Sequence, residues 1–245
     1  CKGYDSRYKQ SFIKRSEMTK IMDNGKVLSQ DELSKDIYSI WIKTDIAKTT
    51  KPGQFVNVYT SNPSKLLPRP ISICEIGRDS IRLVYRVTGK DTGTAEFSKL
   101  EAGDDIKLLG PLGNGFPTDS ISSILIGGGI GIPPMLELAK KLEGEKITVL
   151  GFRDSNTFLV DDLSQYGRVY IASEDGSIGT KGNVLDAVRK NNLNAKRILA
   201  CGPAPMLRAI KKYAFENNIE CFLSLEERMA CGIGACLACT CKSSE

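Results

Sequence analysis

The sequence predicts a multi-domain protein. An antiparallel β-barrel comes first, then a Rossmann-like parallel α/β domain, then a small cysteine-rich loop region. Three observations carry this. Short segments of period-2 alternation, each bounded by turn residues, fill the stretch from Gly25 to Leu109. After the Gly/Pro link Gly110-Pro-Leu-Gly-Asn-Gly115 the rhythm changes to apolar strands alternating with helical stretches. Four of the eight cysteines crowd into residues 231–241. A length of 245 residues suits two folding units, and 41% hydrophobic residues suffice to fill their cores.

In chain order, residues 1–17 are polar and basic and lack the apolar heart of a signal peptide, so they read as an extension, with Met18 a natural start. The barrel is expected over 18–115. Alternation marks strands at Ile37–Ile42, Gln54–Tyr59 and Ile81–Val87, separated by Gly53, Pro63, Pro68 and the Gly103-Asp-Asp turn. This punctuation fits a sandwich or a barrel. The α/β domain is expected over 116–222, with strands at Ser123–Ile126, Ile147–Gly151, Val169–Ala172 and Ile198–Ala200 and helices at Pro133–Leu142, Asn183–Arg189 and Ala204–Asn217. A last strand, Cys221–Leu225, leads into the loop region, 223–245.

The terminal motif, Cys231-Gly-Ile-Gly-Ala-Cys236-Leu-Ala-Cys239, has C-x4-C-x2-C spacing, that of a plant-type [2Fe–2S] loop. Gly232, Gly234, Ala235 and Ala238 let the backbone curl inward and aim its N–H groups at sulfur. Cys231, Cys236 and Cys239 are the expected ligands. Zinc, a disulfide or plain packing are the alternatives, but a zinc knuckle brings a second CxxC or a histidine pair, and the chain has no histidine. A fourth ligand is required. Cys241 lies two residues from Cys239, where an extended backbone turns it the other way, so the fourth ligand is expected in a segment beyond Glu245.

Composition excludes several classes. A formal charge of +5, spread along the chain without a basic face, argues against nucleic acid. The most apolar stretch, Ile121 to Ala139, is broken by glycines and prolines and falls short of the ~18 apolar residues of a membrane span. Cys74, Cys201 and Cys221 in apolar surroundings read as reduced core thiols of a cytoplasmic protein. Without histidine the usual general base is missing, which leans away from hydrolysis.

In the first domain, Arg69-Pro70-Ile71-Ser72 follows a strand and suits a flavin nucleotide. An arginine between prolines can grip a pyrophosphate bidentately while the serine reaches the ring edge, although Arg-Pro in a turn is commonplace. Gly93-Thr94 opens a helical stretch to Leu100, whose first N–H groups face the same phosphates. Val84-Tyr85-Arg86 lies on the strand between; Tyr85 either lies against the flavin or packs in the core.

In the second domain, Gly127-Gly128-Gly129-Ile130-Gly131-Ile-Pro-Pro134 is a glycine turn between strand and helix, open both to a phosphate and to a purely structural role. The prolines fit a first helical turn. A second turn, Cys201-Gly202-Pro203, repeats the arrangement. Two such turns on one parallel sheet define a nucleotide crevice. Cys201 there stands either beside a nicotinamide or in the core. Glu174 is a ribose candidate, and Arg153-Asp154 leaves NAD against NADP open.

The order of RPxS, GT, GGGxGxxP and CGP resembles the ferredoxin–NADP reductase superfamily, in which a flavin-binding barrel precedes a nicotinamide-binding α/β domain. With Arg228-Met-Ala-Cys-Gly-Ile-Gly-Ala-Cys-Leu-Ala-Cys239 added, the chain from about Met18 onward resembles the electron-transfer subunits of type B dihydroorotate dehydrogenases. The resemblance implies an NAD-linked oxidoreductase subunit carrying FAD, a [2Fe–2S] cluster and NAD. It implies a partner as well, an FMN-containing dihydroorotate dehydrogenase catalytic subunit, in a heterotetramer of two copies of each. Ser72 and Cys201 become the residues nearest the chemistry. Arg69 to Ser72, Val84 to Arg86, Gly93, Thr94, Gly127, Gly128, Gly129, Gly131 and Gly202 become cofactor contacts. A reductase module serving a hydrogenase or a sulfide- or sulfite-linked enzyme would share this core, and a zinc-loop interaction protein is the alternative outside redox chemistry.

Overall fold

The computed structural model describes residues 20–225, 229–236 and 238–239. The extension expected over 1–17, together with Arg228 and Cys241, lies outside the described residues.

Six strands, β1 (Ile21–Ser34), β2 (Ile37–Lys43), β3 (Phe55–Tyr59), β4 (Arg69–Ile76), β5 (Ser80–Arg86) and β6 (Asp105–Leu112), close into an antiparallel barrel in the order β1-β2-β5-β4-β3-β6. Alternate residues point inward: Ile40 and Ile42, Val56 and Val58, Ile71 and Ile73, Ile81, Leu83 and Tyr85, Ile106 and Leu108 make one buried cluster. Each such aliphatic side chain contributes ~1.5–3 kcal/mol by leaving water. The length of β1 escapes sequence reading for a physical reason. Of its 14 residues only Gly25 and Val27 are buried, so it shows little apolar alternation. It exists because its first half pairs with β6 and its second half with β2, closing the barrel.

Two expected boundaries are corrected. Arg69–Ser72 does not follow a strand but opens β4 itself, and Gly110–Leu112 belongs to β6 rather than to the link. A short helix, α1 (Gly93–Phe97), follows β5, with the Thr92 hydroxyl accepting from the Ala95 N–H as its cap.

The second unit runs β7 (Ser123–Gly128), α2 (Pro133–Lys141), β8 (Lys146–Phe152), α3 (Val160–Ser164), β9 (Arg168–Ser173), β10 (Thr180–Lys181), α4 (Val184–Lys190), β11 (Arg197–Cys201), α5 (Ala204–Glu216) and β12 (Glu220–Ser224). The six strands are parallel, in the order β10-β9-β8-β7-β11-β12. The boundary expected at 222 falls inside β12. β7 is buried along its whole length, as a central strand covered on both faces must be. Met135, Leu136 and Leu138 of α2 and Leu163 of α3 cover one face. Val184, Leu185 and Val188 of α4 and Leu207, Ile210 and Ala214 of α5 cover the other. The chain winds outward from β7 in one direction through β8, β9 and β10, and in the other through β11 and β12. The switch point therefore lies between β7 and β11, where an open α/β sheet leaves its crevice.

The two units share a core. Ile37, Cys74 and Val84, on the outer face of the barrel, join the cluster beneath α2. Glu137 of α2, fully buried, accepts from the Ile76 N–H at 2.9 Å, and loss of water pushes its carboxyl above the ordinary range. Arg82 of the barrel pairs with Glu75 at 2.9 Å and with Asp162 of α3 at 3.4 Å, while Lys140 of α2 reaches Glu75 at 3.4 Å. Among the described residues, no helix is long and apolar enough to cross a membrane.

Candidate functional site

The crevice at the switch point is real: a cleft of about 800 Å3 opens at the carboxyl ends of the parallel strands. Gly128, Gly129 and Ile130 line it after β7, Gly151 to Asp154 at the end of β8, Glu174 after β9, and Gly202 and Met206 after β11. The barrel supplies the opposite wall through Ser34–Ile37 and Arg86. Both glycine turns therefore reach one site, as their sequence positions lead one to expect. They also touch each other. A Cβ at Gly131 would lie 2.4 Å from the Cys201 carbonyl oxygen, so any other residue there would prise the turns apart. Gly127 and Gly131 shape the turn from beneath; Gly128, Gly129 and Gly202 face the cleft. Pro133 and Pro134 open α2 at positions where no N–H is needed.

The barrel motif assembles on one outer wall. Arg69 and Gly93, 24 positions apart by their numbers, meet: a Cβ at Gly93 would stand 2.9 Å from the Arg69 Nε. The guanidinium thus lies against the start of α1, with one of its N–H groups donating to the Leu67 carbonyl. Along the outer face of β4, Pro70 is exposed, Ser72 half-buried and Cys74 buried beneath α2. Thr94 is half-buried, its hydroxyl 3.0 Å from that of Thr92.

Three expected contacts fall elsewhere. The ring of Tyr85 points into the barrel, stacked on Tyr38 with centroids 6.0 Å apart and its hydroxyl donating to Gln30 Oε1 at 2.8 Å. Inward parity on β5 leaves only its backbone for a ligand outside. Val84, of outward parity, packs in the shared core. Cys201 is 2% exposed in that same core and is not among the residues lining the cleft. Arg86 lines the cleft.

The cysteine loop is seated on the barrel. Asn57 Nδ2, on β3, donates to the Cys231 carbonyl at 3.4 Å, and Lys20 Nζ donates to the Ile233 carbonyl at 3.4 Å. Gly232, at φ +67°, lies so close that a Cβ would stand 2.5 Å from Asn57 Nδ2. Within the loop the Cys236 N–H donates to Cys231 Sγ at 3.4 Å. Backbone N–H groups of Cys236 and Ile233 lower the Cys231 thiol to about 6. A sulfur that accepts N–H donors on a left-handed glycine curl fits one ligand of an iron–sulfur cluster. Among the described residues no three of Cys, Asp and Glu stand close enough to hold a metal ion.

Asn57 is the loop contact that sequence reading missed. The signal was present: a lone asparagine between Val56 and Val58 is unfavourable inside a strand.

Comparison with known proteins agrees with this layout. A family model, the iron–sulfur cluster binding domain of dihydroorotate dehydrogenase B, matches residues 226–245. The chain is 42% identical over 230 residues to the electron transfer subunit of dihydroorotate dehydrogenase B (NAD(+)) of Listeria monocytogenes serotype 4a, covering 90% of this chain and 89% of that one. The subunit of the same name from Streptococcus mutans serotype c is 42% identical over 229 residues, covering 89% and 88%. Among solved structures, an NADH-dependent reduced ferredoxin-NADP oxidoreductase, described for flavin-based electron bifurcation, superposes with a TM-score of 0.79 at 29% identity, covering 88% of this chain and 80% of that one.

Proposed function

The chain belongs to the family of dihydroorotate dehydrogenase B (NAD(+)) electron transfer subunits, and on that premise we propose how its own residues carry electrons between a catalytic partner subunit and NAD+. The reaction it serves, oxidation of dihydroorotate, belongs to pyrimidine biosynthesis. The partner holds FMN and assembles with this chain two to two. Unbridged thiols at Cys74 and Cys221 support a cytoplasmic setting.

One observation carries the reading. Asn57, which holds the cysteine loop, is the cross-strand partner of Pro70, and Phe55 is the partner of Ser72. Partners across a ladder share a face, so Asn57, Pro70 and Ser72 stand on one outer wall, with Asn57 and Ser72 diagonal neighbours ~7–8 Å apart. Two residues beyond Ser72, Cys74 disappears under the nucleotide domain. Cluster loop and flavin motif thus lie side by side along one strand pair, whose far end packs under the nucleotide domain.

When bound, a flavin exchanges electrons singly with an iron–sulfur cluster and as a hydride with nicotinamide, which is why the fold needs both neighbours. The residues divide the work. Arg69, beside Gly93 and Thr94, neutralises the flavin pyrophosphate; Pro70 and Ile71 fix the strand, and Ser72 orients the ring edge. The backbone at Val84 and Tyr85 backs the same wall. Gly128, Gly129 and Gly202, shaped by Gly127 and Gly131, admit the nicotinamide nucleotide, with Arg86 facing it across the cleft and Asp154 and Glu174 as its ribose acceptors. Cys231, Cys236 and Cys239 hold the cluster.

The chain alone, loaded with FAD, iron and sulfide, reduces an artificial dye with NADH but leaves dihydroorotate untouched until the partner is added. Turnover of dihydroorotate by the single chain would overturn the division of labour. An FAD-loaded chain that cannot oxidise NADH would overturn the assignment of the cleft.

A further inference from the structure

Asn57 is out of place as a structural residue. It sits mid-strand in the barrel wall, 0% exposed, between two valines that fill the interior. Burying an amide is costly unless each polar atom is satisfied. Its Nδ2 has one acceptor, the Cys231 carbonyl at 3.4 Å. Its Oδ1 has no hydrogen-bond partner among the described residues. Nothing in the barrel ladder calls for the side chain, because β3 pairs through its backbone with β4 and β6. Its hydrogen bond goes to the loop, to the carbonyl of the first cysteine, and the loop backbone at Gly232 comes so close that a Cβ there would stand 2.5 Å from Nδ2.

We propose that Asn57 is a positioning residue for electron transfer: it fixes the first cysteine of the loop against the strand pair that bears Pro70 and Ser72, and so sets the approach of cluster to flavin. This rests on the reading that cluster and flavin share that wall. The contact explains why the loop meets the barrel here. Holding the Cys231 carbonyl fixes the peptide that begins the glycine curl, and the curl brings the Cys236 N–H onto Cys231 Sγ. An apolar side chain at this position would lose the Nδ2 contact and leave the loop free to slide.

The test uses the full-length protein with every cluster ligand, loaded with FAD, iron and sulfide, in three forms: wild type, Asn57→Leu, which keeps the branched skeleton and removes both polar atoms, and Asn57→Ser, which keeps an O–H donor. Each is read by iron and flavin content, by the electron paramagnetic resonance signal of the reduced cluster, by NADH–dye turnover, and by the rate at which NADH reduces the cluster in stopped flow. NADH is the reductant throughout, each hydride supplying two electrons that leave singly for the cluster. The expected result is a shifted resonance signal and at least tenfold slower cluster reduction in Asn57→Leu, an intermediate rate in Asn57→Ser, and flavin content and dye turnover within twofold of wild type in both. Wild-type signal and rate in Asn57→Leu would overturn the proposal. So would parallel loss of flavin and dye turnover in both variants, which would make Asn57 a barrel residue. If NADH fails to reduce the cluster in the wild-type chain, the shared-wall reading fails instead, and that outcome is visible before any variant is compared.

Discussion

The cleft of the α/β unit and the cysteine loop on the barrel are built in opposite ways. The cleft is made by topology. Strands wound in opposite directions from β7 leave a gap at their carboxyl ends, and two glycine turns close its floor, one resting on the carbonyl of the other. The loop is made by a few contacts to the barrel. It is held by Asn57, Lys20 and the close approach of Gly232, and its own curl brings the Cys236 N–H onto Cys231 Sγ. The cleft rests on strand order, set by burying whole faces at once; the loop rests on a handful of polar contacts.

The largest expected effect breaks the loop while sparing the cleft. Cys231→Ser removes the sulfur that already accepts a backbone N–H, and in the full-length protein iron should fall from about two per chain to near zero, as a [2Fe–2S] centre demands. Visible absorption from the cluster disappears with it, whereas NADH–dye turnover through FAD persists. Concurrent loss of FAD binding would mean that loop and wall are not separable.

Arg69→Ala should act on the barrel wall. A charge-assisted bidentate contact is worth about 1.5–3 kcal/mol, so FAD affinity should weaken roughly ten- to a hundredfold in a fluorescence titration, with iron unchanged. Wild-type affinity would move the pyrophosphate away from the Arg69–Gly93 junction.

The smallest effect sharpens the account of the cleft. Gly131→Ala puts one methyl 2.4 Å from the Cys201 carbonyl oxygen, where neither side is a flexible side-chain tip. Overpacking of this kind costs about 1–3 kcal/mol, read as a lower Tm. The KM for NADH should rise while iron and FAD stay bound. An unaltered Tm and KM would show that the two turns are not mutually supporting.

Much of the fold was legible from local pattern. The strands at Ile37, Phe55 and Ser80, and every helix of eight residues or more, announced themselves by periodicity and by proline or glycine at their ends. The pairing of Arg69 with Gly93 followed from the chemistry of the two motifs. What escaped reading depended on neighbours distant in sequence. β1 is a strand because it joins β2 to β6, not because it alternates. Tyr85 faces inward because β5 was set in register by Ile81 and Leu83, and a motif cannot reveal the parity of its strand.

The sequence by itself determined which motifs this protein carries: three spaced thiols, an arginine between prolines with a Gly-Thr helix start, and two glycine turns between strand and helix. Those depend on residue type and spacing, which the chain carries locally. Only the tertiary structure decided how these pieces meet. The register of β3 on β4 places Asn57 beside Pro70 and so sets the cysteine loop next to the flavin motif. Packing of α2 over Cys74 and Val84 sets the α/β unit against the barrel, and buries Cys201 on the way. Register and domain packing are settled by burying whole faces at once, so no single motif can encode them.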